Sequence, residues 1–204
     1  MQRQQIINEV KIKLEESHPY EDVEVINSPL IKELLDECTD ETQLLAPVYL
    51  LQPEEHAVST NDIVENPDNT GYIVLPDDFL RLVSFKMSAW KKALIEAISE
   101  DHPKYNLQKN IYTRGGISKP VAVIRYEPGE NNRKVIEYYS VTNNNHNVDR
   151  LLYVNRKKAE NLQNDLVDPL TWICASKVLE IEGEPQAAES AMKKALEFME
   201  LRNR

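Results

Sequence analysis

Glycine and cysteine are scarce in this chain, with 5 and 2 among 204 residues. So few glycines, with 11 prolines, argue against a long disordered linker. Cys38 and Cys174 each sit inside an apolar helical pattern and read as small buried hydrophobes in a reducing compartment. A disulfide between them would require the two to meet in space. No run approaches about 18 apolar residues, so no transmembrane helix is expected. The first seven residues are amphipathic rather than basic and then apolar, so a secretory leader is not expected either. No Cys or His pair has metal-ligand spacing, and His18, His56, His102 and His146 read as solvated loop residues. Ser88, Ser99 and Ser118 lack the glycine elbow of a nucleophilic serine. Arg114-Gly115-Gly116 lacks the following Lys-Ser/Thr of a phosphate loop.

Negative charge is present in excess and unevenly placed. The formal net charge is −10. Residues 1–70 hold 16 acidic against 4 basic residues, and the remainder 18 against 20. The N-terminal third therefore carries the whole excess. Such a surface repels phosphate backbones, which fits either plain solubility or a wall past which nucleic acid slides.

Helical spacing marks both ends of the chain. Ile6, Ile7, Val10 and Leu14 predict a first helix, stopped at His18-Pro19. Ser28-Pro29 reads as a cap and first position, followed by the stripe Leu30, Ile31, Leu34, Leu35 and Cys38. Thr39-Asp40 invites a break. Residues 53–70 are polar and read as a long loop. Asp168-Pro169 opens another helix with Leu170, Ile173, Cys174, Val178 and Ile181 on one stripe. Gly183 fits the left-handed stop. Pro185 then starts a last helix whose Ala188, Ala191, Ala195 and Met199 share a face. Such small residues suit helix packing within or between subunits, and the three alanines are the candidate subunit interface.

The middle has a different texture, rich in Val, Ile, Tyr and Phe. Residues 71–87 read as strand, acidic turn, strand, with the turn at Pro76-Asp77-Asp78. Val83, Phe85 and Met87 alternate with Ser84, Lys86 and Ser88. Residues 121–126 and 135–141 predict a hairpin, and 151–154 a further strand. Residues 93–98 have helical composition in a strand context, and 101–110 could form a short helix. The expected fold class is α+β: a helical bundle of residues 1–70 and 155–204 with an inserted antiparallel β module of residues 71–154.

Candidate chemistry is thin. Asp77-Asp78 is the best pair for a metal or for acid/base work, although the turn already explains it. Lys104-Tyr105, Tyr112-Arg114 and Arg125-Tyr126 could stack bases or touch phosphates, or serve as ordinary sheet residues. Trp90 and Trp172 read as core anchors.

The run Leu75, Pro76, Asp77, Asp78, Phe79, Arg81, with Phe85 and Trp90 beyond, carries a resemblance together with residues 101–108, Lys119-Pro120-Val121 and the closing alanine-bearing helical pair. Over about residues 25–200 the chain resembles the head–tail connector, or adaptor, proteins of tailed bacteriophages, of the tail tubular protein A type, and the ring proteins of crAss-like phages. The acidic N-terminal third and residues 53–70 depart from that pattern. The resemblance implies a structural virion protein with no enzymatic activity, made in the host cytoplasm. It implies a homo-oligomeric ring of about twelve subunits, stacked between the portal protein and the adjacent tail rings. Genomic DNA would pass through its lumen without specific binding. No membrane and no cofactor are implied. The alternatives are a metal-dependent hydrolase using Asp77 and Asp78, or an interaction module built on the hairpin of residues 169–201.

Overall fold

A computed structural model describes residues 2–17, 28–127, 132–142 and 145–201. In chain order the elements are α1 (Arg3–Ser17), α2 (Ser28–Leu45), β1 (Glu54–Glu55), β2 (Ile63–Glu65), β3 (Gly71–Val74) and β4 (Phe79–Met87). Then come α3 (Tyr105–Gln108), β5 (Ala122–Tyr126), β6 (Lys134–Tyr138), β7 (Val148–Asn155), α4 (Val167–Ile181) and α5 (Pro185–Leu201). The fold is α+β. The chain divides into a helical unit, residues 1–52 with 156–204, and a β unit, residues 53–155.

In the helical unit α4 is the hub. Its sequence is apolar nearly all round, and 11 of its 15 residues are buried. A helix of this kind needs neighbours on every side, and α1, α2 and α5 pack against it. Ile6, Ile7, Val10 and Leu14 of α1 and Ile31, Leu35 and Cys38 of α2 supply their predicted stripes. The expected break at Thr39-Asp40 does not occur, because the Thr39 hydroxyl donates to Leu35 O at 2.6 Å and Thr42 to Cys38 O at 2.7 Å. Both threonines thus satisfy themselves inside the helix. The start of α4 also differs from expectation. The single turn Asn164–Leu166 runs straight into it, so the cap position is Leu166 and Asp168-Pro169 lie within the first turn. Gly183 does stop α4, with φ +87°. Glu184 N–H donates to Leu179 O at 2.9 Å and Gly183 N–H to Glu180 O at 3.2 Å, a paired left-handed stop. The stop predicted at His18-Pro19 lies outside the described residues.

Ala188, Ala191 and Ala195 are buried within the chain, where α5 lies against α4 and the Ser176 hydroxyl donates to Ala188 O at 2.7 Å. Packing against α4 already accounts for these small residues without a subunit contact. Cys38 and Cys174 are buried free thiols; hydrogen bonding with Cys38, then burial, raises the Cys174 thiol pKa. Polar links fasten the rest. Lys177 reaches Glu37 at 2.5 Å and Glu41 at 2.7 Å, and Arg3 reaches Asp36 at 2.7 Å. The ring of Trp172 lies under the ammonium groups of Lys194 (4.1 Å) and Lys13 (5.2 Å). Gln43 is buried in α2 and grips the returning chain. Its amide donates to Lys157 O at 3.0 Å and to Thr39 O at 3.2 Å, and it accepts Lys157 N–H at 3.0 Å.

The β unit has two antiparallel sheets, ordered β1-β7-β4 and β2-β3-β6-β5. Their inner residues share one core that includes Ile73, Phe85, Met87, Trp90, Ile136 and Leu151. Residues 53–70 belong here and not to the helical unit, because Glu54–Glu55 pairs with β7 and Ile63–Glu65 with β3. The boundary expected at residue 70 therefore falls at residue 52. The strands either side of the acidic turn do not pair with each other. β3 and β4 lie in different sheets, and the turn carries the chain from one to the other. Register shifts in β4, one of them between Leu82 and Ser84, break the expected alternation, so Ser84 is buried while Val83 is half-buried. Residues 93–98 are neither helix nor a full strand. They cross the sheet margins through single bridges, Leu94 to Phe85 and Ile98 to Val123. The predicted hairpin is β5–β6, and β7 extends the strand expected at 151–154 to eight residues.

His146 is the clearest departure from a solvated loop. It is buried, with Nδ1 2.6 Å from the Tyr138 hydroxyl. Gly71 lies beside the same hydroxyl, and a Cβ there would come within 2.5 Å of Val64 O.

One tryptophan falls in each unit, Trp172 in the helical and Trp90 in the β unit, so Trp90→Phe and Trp172→Phe backgrounds report the two separately. Gln43→Ala strands the amide and carbonyl of Lys157 and is expected to destabilise the helical unit by about 2–4 kcal/mol. Urea unfolding followed at Trp172 fluorescence measures it. Gly71→Ala is expected to cost the β unit about 1–3 kcal/mol, read at Trp90.

Candidate docking site

The acidic turn is structural in its geometry. Leu75, Phe79 and Trp90 are buried in the core. Pro76 O accepts Phe79 N–H at 3.0 Å and closes the turn. Trp90 meets Phe85 edge-on at 5.2 Å and donates its indole N–H to Tyr139 O at 3.2 Å. Asp77 and Asp78 are exposed, and Asp78 Oδ1 accepts the Tyr153 hydroxyl at 3.1 Å. Burial, then the Asp78 charge, push the Tyr153 pKa up to about 12. Phe79 stacks on Tyr153 at 5.8 Å. Arg81 is half-buried on β4. These residues tie β4 to β7. Among the described residues no three His, Cys, Asp or Glu side chains gather as a metal site would require.

The aromatic–basic pairs are also mostly engaged. Arg125 pairs with Glu137 at 2.9 Å and lies 5.9 Å from the Tyr72 ring. Arg114 is clamped on Asp68, Nη1 to Oδ2 at 2.9 Å and Nη2 to the backbone O at 2.6 Å, with only 7% of its side chain exposed. Neither guanidinium faces solvent as a phosphate ligand would.

What remains without a structural task is the tip of residues 105–114. Its backbone is firmly held. Gln108, buried, donates to Lys104 O at 2.9 Å and accepts Gly115 N–H at 2.8 Å, bridging both ends of the knob. The Thr113 hydroxyl donates to Leu107 O at 2.8 Å, and Asn110 Oδ1 accepts Tyr112 N–H at 2.9 Å. A Cβ at Gly115 would lie 2.8 Å from the backbone of Val121, so the knob can sit this close only with glycine there. Upon this frame Tyr112 is 94% exposed, Ile111 63% and Leu107 48%. Lys104 and Lys109 flank them in solvent, with the Lys109 ammonium 4.9 Å from the Tyr105 ring.

Large apolar side chains on a rigid, solvent-facing knob are the surface signature of a docking element. Sequence reasoning placed a helix over 101–110 and weighed Tyr112 with Arg114 as a base platform. The helix is only α3, four residues, and Arg114 is the anchor of the knob and not part of its face. Leu107 and Ile111 stand four residues apart, as on a helix face, so their spacing does not distinguish an exposed tip from a buried stripe.

Arg114→Ala is expected to speed amide hydrogen exchange in residues 110–115 while leaving β3 and β6 protected, read by mass spectrometry. Thr70 hydrogen bonding first, then Arg114, hold the Asp68 carboxyl below the usual aspartate range. A depressed folded value stabilises above the unfolded aspartate pKa and is lost as pH falls through the folded one. The same exchange signature is therefore expected in the unmodified protein on acidification below the ordinary aspartate pKa, and not between there and neutrality.

No protein-family model matches this chain, and no curated protein matches its sequence.

Proposed function

We propose that this protein is a structural virion component, a ring subunit of the head–tail connector or tail barrel of a tailed bacteriophage. It joins portal to tail, and the genome passes through the lumen of its homo-oligomer. The reading rests on the likeness of residues 75–90 and of the closing helical pair to connector proteins. The observation that carries it furthest is the preorganised knob with Leu107, Ile111 and Tyr112 in solvent. An element like this, held by side-chain clamps and not by burial of its tip, suits recognition of another macromolecule. A second exposed apolar group, Leu44, Leu45, Val48 and Tyr49, spans the end of α2 in the helical unit. A subunit with neighbours above, below and beside it needs more than one such surface.

The hydrolase alternative has no comparable support. Asp78 accepts the Tyr153 hydroxyl in a turn that secures β4 to β7. Asp77 and Asp78 are exposed, outside any desolvated cleft that would tune a carboxylate for catalysis.

Native mass spectrometry and negative-stain microscopy of the full chain, alone and with the portal protein of the same virion, test the proposal. The expected outcome is annular particles of about twelve subunits, formed alone or on the portal. A monomer that ignores the portal would defeat it.

A further inference from the structure

We infer that successive copies of this chain join head to tail, the knob of one copy entering the groove between α4 and α5 of the next. This rests on the ring reading and names the contact that builds the ring. The groove lies wholly in the helical unit, measures about 520 Å³ and is open along one side. Its wall is apolar where Pro185, Met192 and Leu196 face it. Glu180 and Glu189 stand on its rim, exposed, and among the described residues neither carboxylate has an ion-pair partner; Lys193 shares the rim.

The knob is the counterpart in both shape and sign. Its tip side chains stand out in solvent, Tyr112 most of all, where those lining the groove are partly covered. Its apolar tip of Leu107, Ile111 and Tyr112 matches the apolar wall. Lys104 and Lys109, which have no carboxylate partner among the described residues, meet a rim carrying two carboxylates. Apolar anchors in a groove with complementary charges around them are the usual anatomy of a specific contact. Knob and groove are different surfaces, so one copy can engage the next through a heterologous, head-to-tail contact. Repetition of such a contact closes into a ring when its rotation divides the circle, and otherwise runs on as a filament. Reciprocal insertion, each knob in the other's groove, would instead give a two-fold dimer; native mass spectrometry separates that outcome from a ring, and it overturns the head-to-tail contact.

Charge reversal tests this in the full chain. One variant carries Lys104→Glu with Lys109→Glu, the other Glu180→Lys with Glu189→Lys. All four positions are exposed, and unchanged thermal unfolding verifies that the variants fold. Assembly is measured by sedimentation velocity and native mass spectrometry, alone and on the portal. Each variant by itself is expected to self-associate roughly tenfold more weakly, or worse. A mixture of the two should recover assembly, because each knob then meets a groove of opposite sign, and the products should contain the two chains in alternation. Leu107→Ser with Tyr112→Ser should weaken assembly and should not be rescued by mixing with either charge variant.

Rings that form equally well from either reversed variant overturn this contact and leave the ring reading standing. Weakened variants that the mixture does not rescue also overturn it. Wild-type chains that stay monomeric alone and on the portal overturn both. If the variants assemble normally but lose binding to anionic lipid vesicles, the knob serves a membrane surface and the inference fails.

Discussion

The burial of α4 on every side is the constraint from which the architecture follows. Its buried residues occupy nearly the whole circumference, so a single partner helix cannot cover it. α5 follows directly through the Gly183 stop and covers one side. The other sides are covered by α1 and α2, which lie at the far end of the sequence. Both chain ends must therefore fold together, and the residues between must leave and return. Gln43 fixes the return by holding the backbone of Lys157 with a donor and an acceptor at once. In the β unit, β1 and β7 pair with each other, Glu54 opposite Tyr153. The strand that begins the insertion and the strand that ends it are thus zipped together, which closes it as a unit with its own core.

A β unit that stabilises itself can carry surface that serves nothing inside the chain. The knob shows how such surface is kept in one conformation without burial. Gln108 ties its two ends, Arg114 ties it to the β2–β3 connection at Asp68, and Gly115 lets it approach Val121. Ordering costs are met during folding and not on docking, which favours affinity from a small contact. A flexible loop of the same composition would lose rotamer and backbone freedom at each encounter.

The helices were legible because their apolar stripes repeat with helical spacing and their stops use Gly and Pro. Thr39 was misleading, since a threonine that bonds back to its own helix and one that ends a helix look alike in sequence. The acidic turn was legible as a turn, but a turn joining paired strands and one that changes sheets use the same residues. Only the pairing of β3 with β6 and β4 with β7 separates the two. The polar stretch 53–70 concealed β1 and β2 because edge strands of two and three residues bury little. His146 could not be placed, because its partner is Tyr138, and strand end and loop meet only after β6 has paired. The knob escaped for the opposite reason. Leu, Ile and Tyr are ordinarily read as core, so exposed ones are invisible until burial is known.

The acid-rich N-terminal third takes on a different meaning once its partners are known. Four of the five acidic residues in α2 are in ion pairs: Asp36 with Arg3, Glu37 and Glu41 with Lys177, and Asp40 with Arg156. Much of that acidity binds the helical unit together, with the net excess left over as a long-range field. In the β unit, Lys91, Lys92, Lys104, Lys109 and Lys119 form a run of lysines with no carboxylate ion-pair partner among the described residues. Under the ring proposal, that cationic segment is expected to lie off the lumen, because each lysine reaching a phosphate would release counterions and hold the duplex. Its apolar tip could not rest in water-filled space at no cost either. On that proposal both requirements would send the knob away from the DNA and toward protein, and the charge that would brake a passing duplex would instead attract an acidic-rimmed groove.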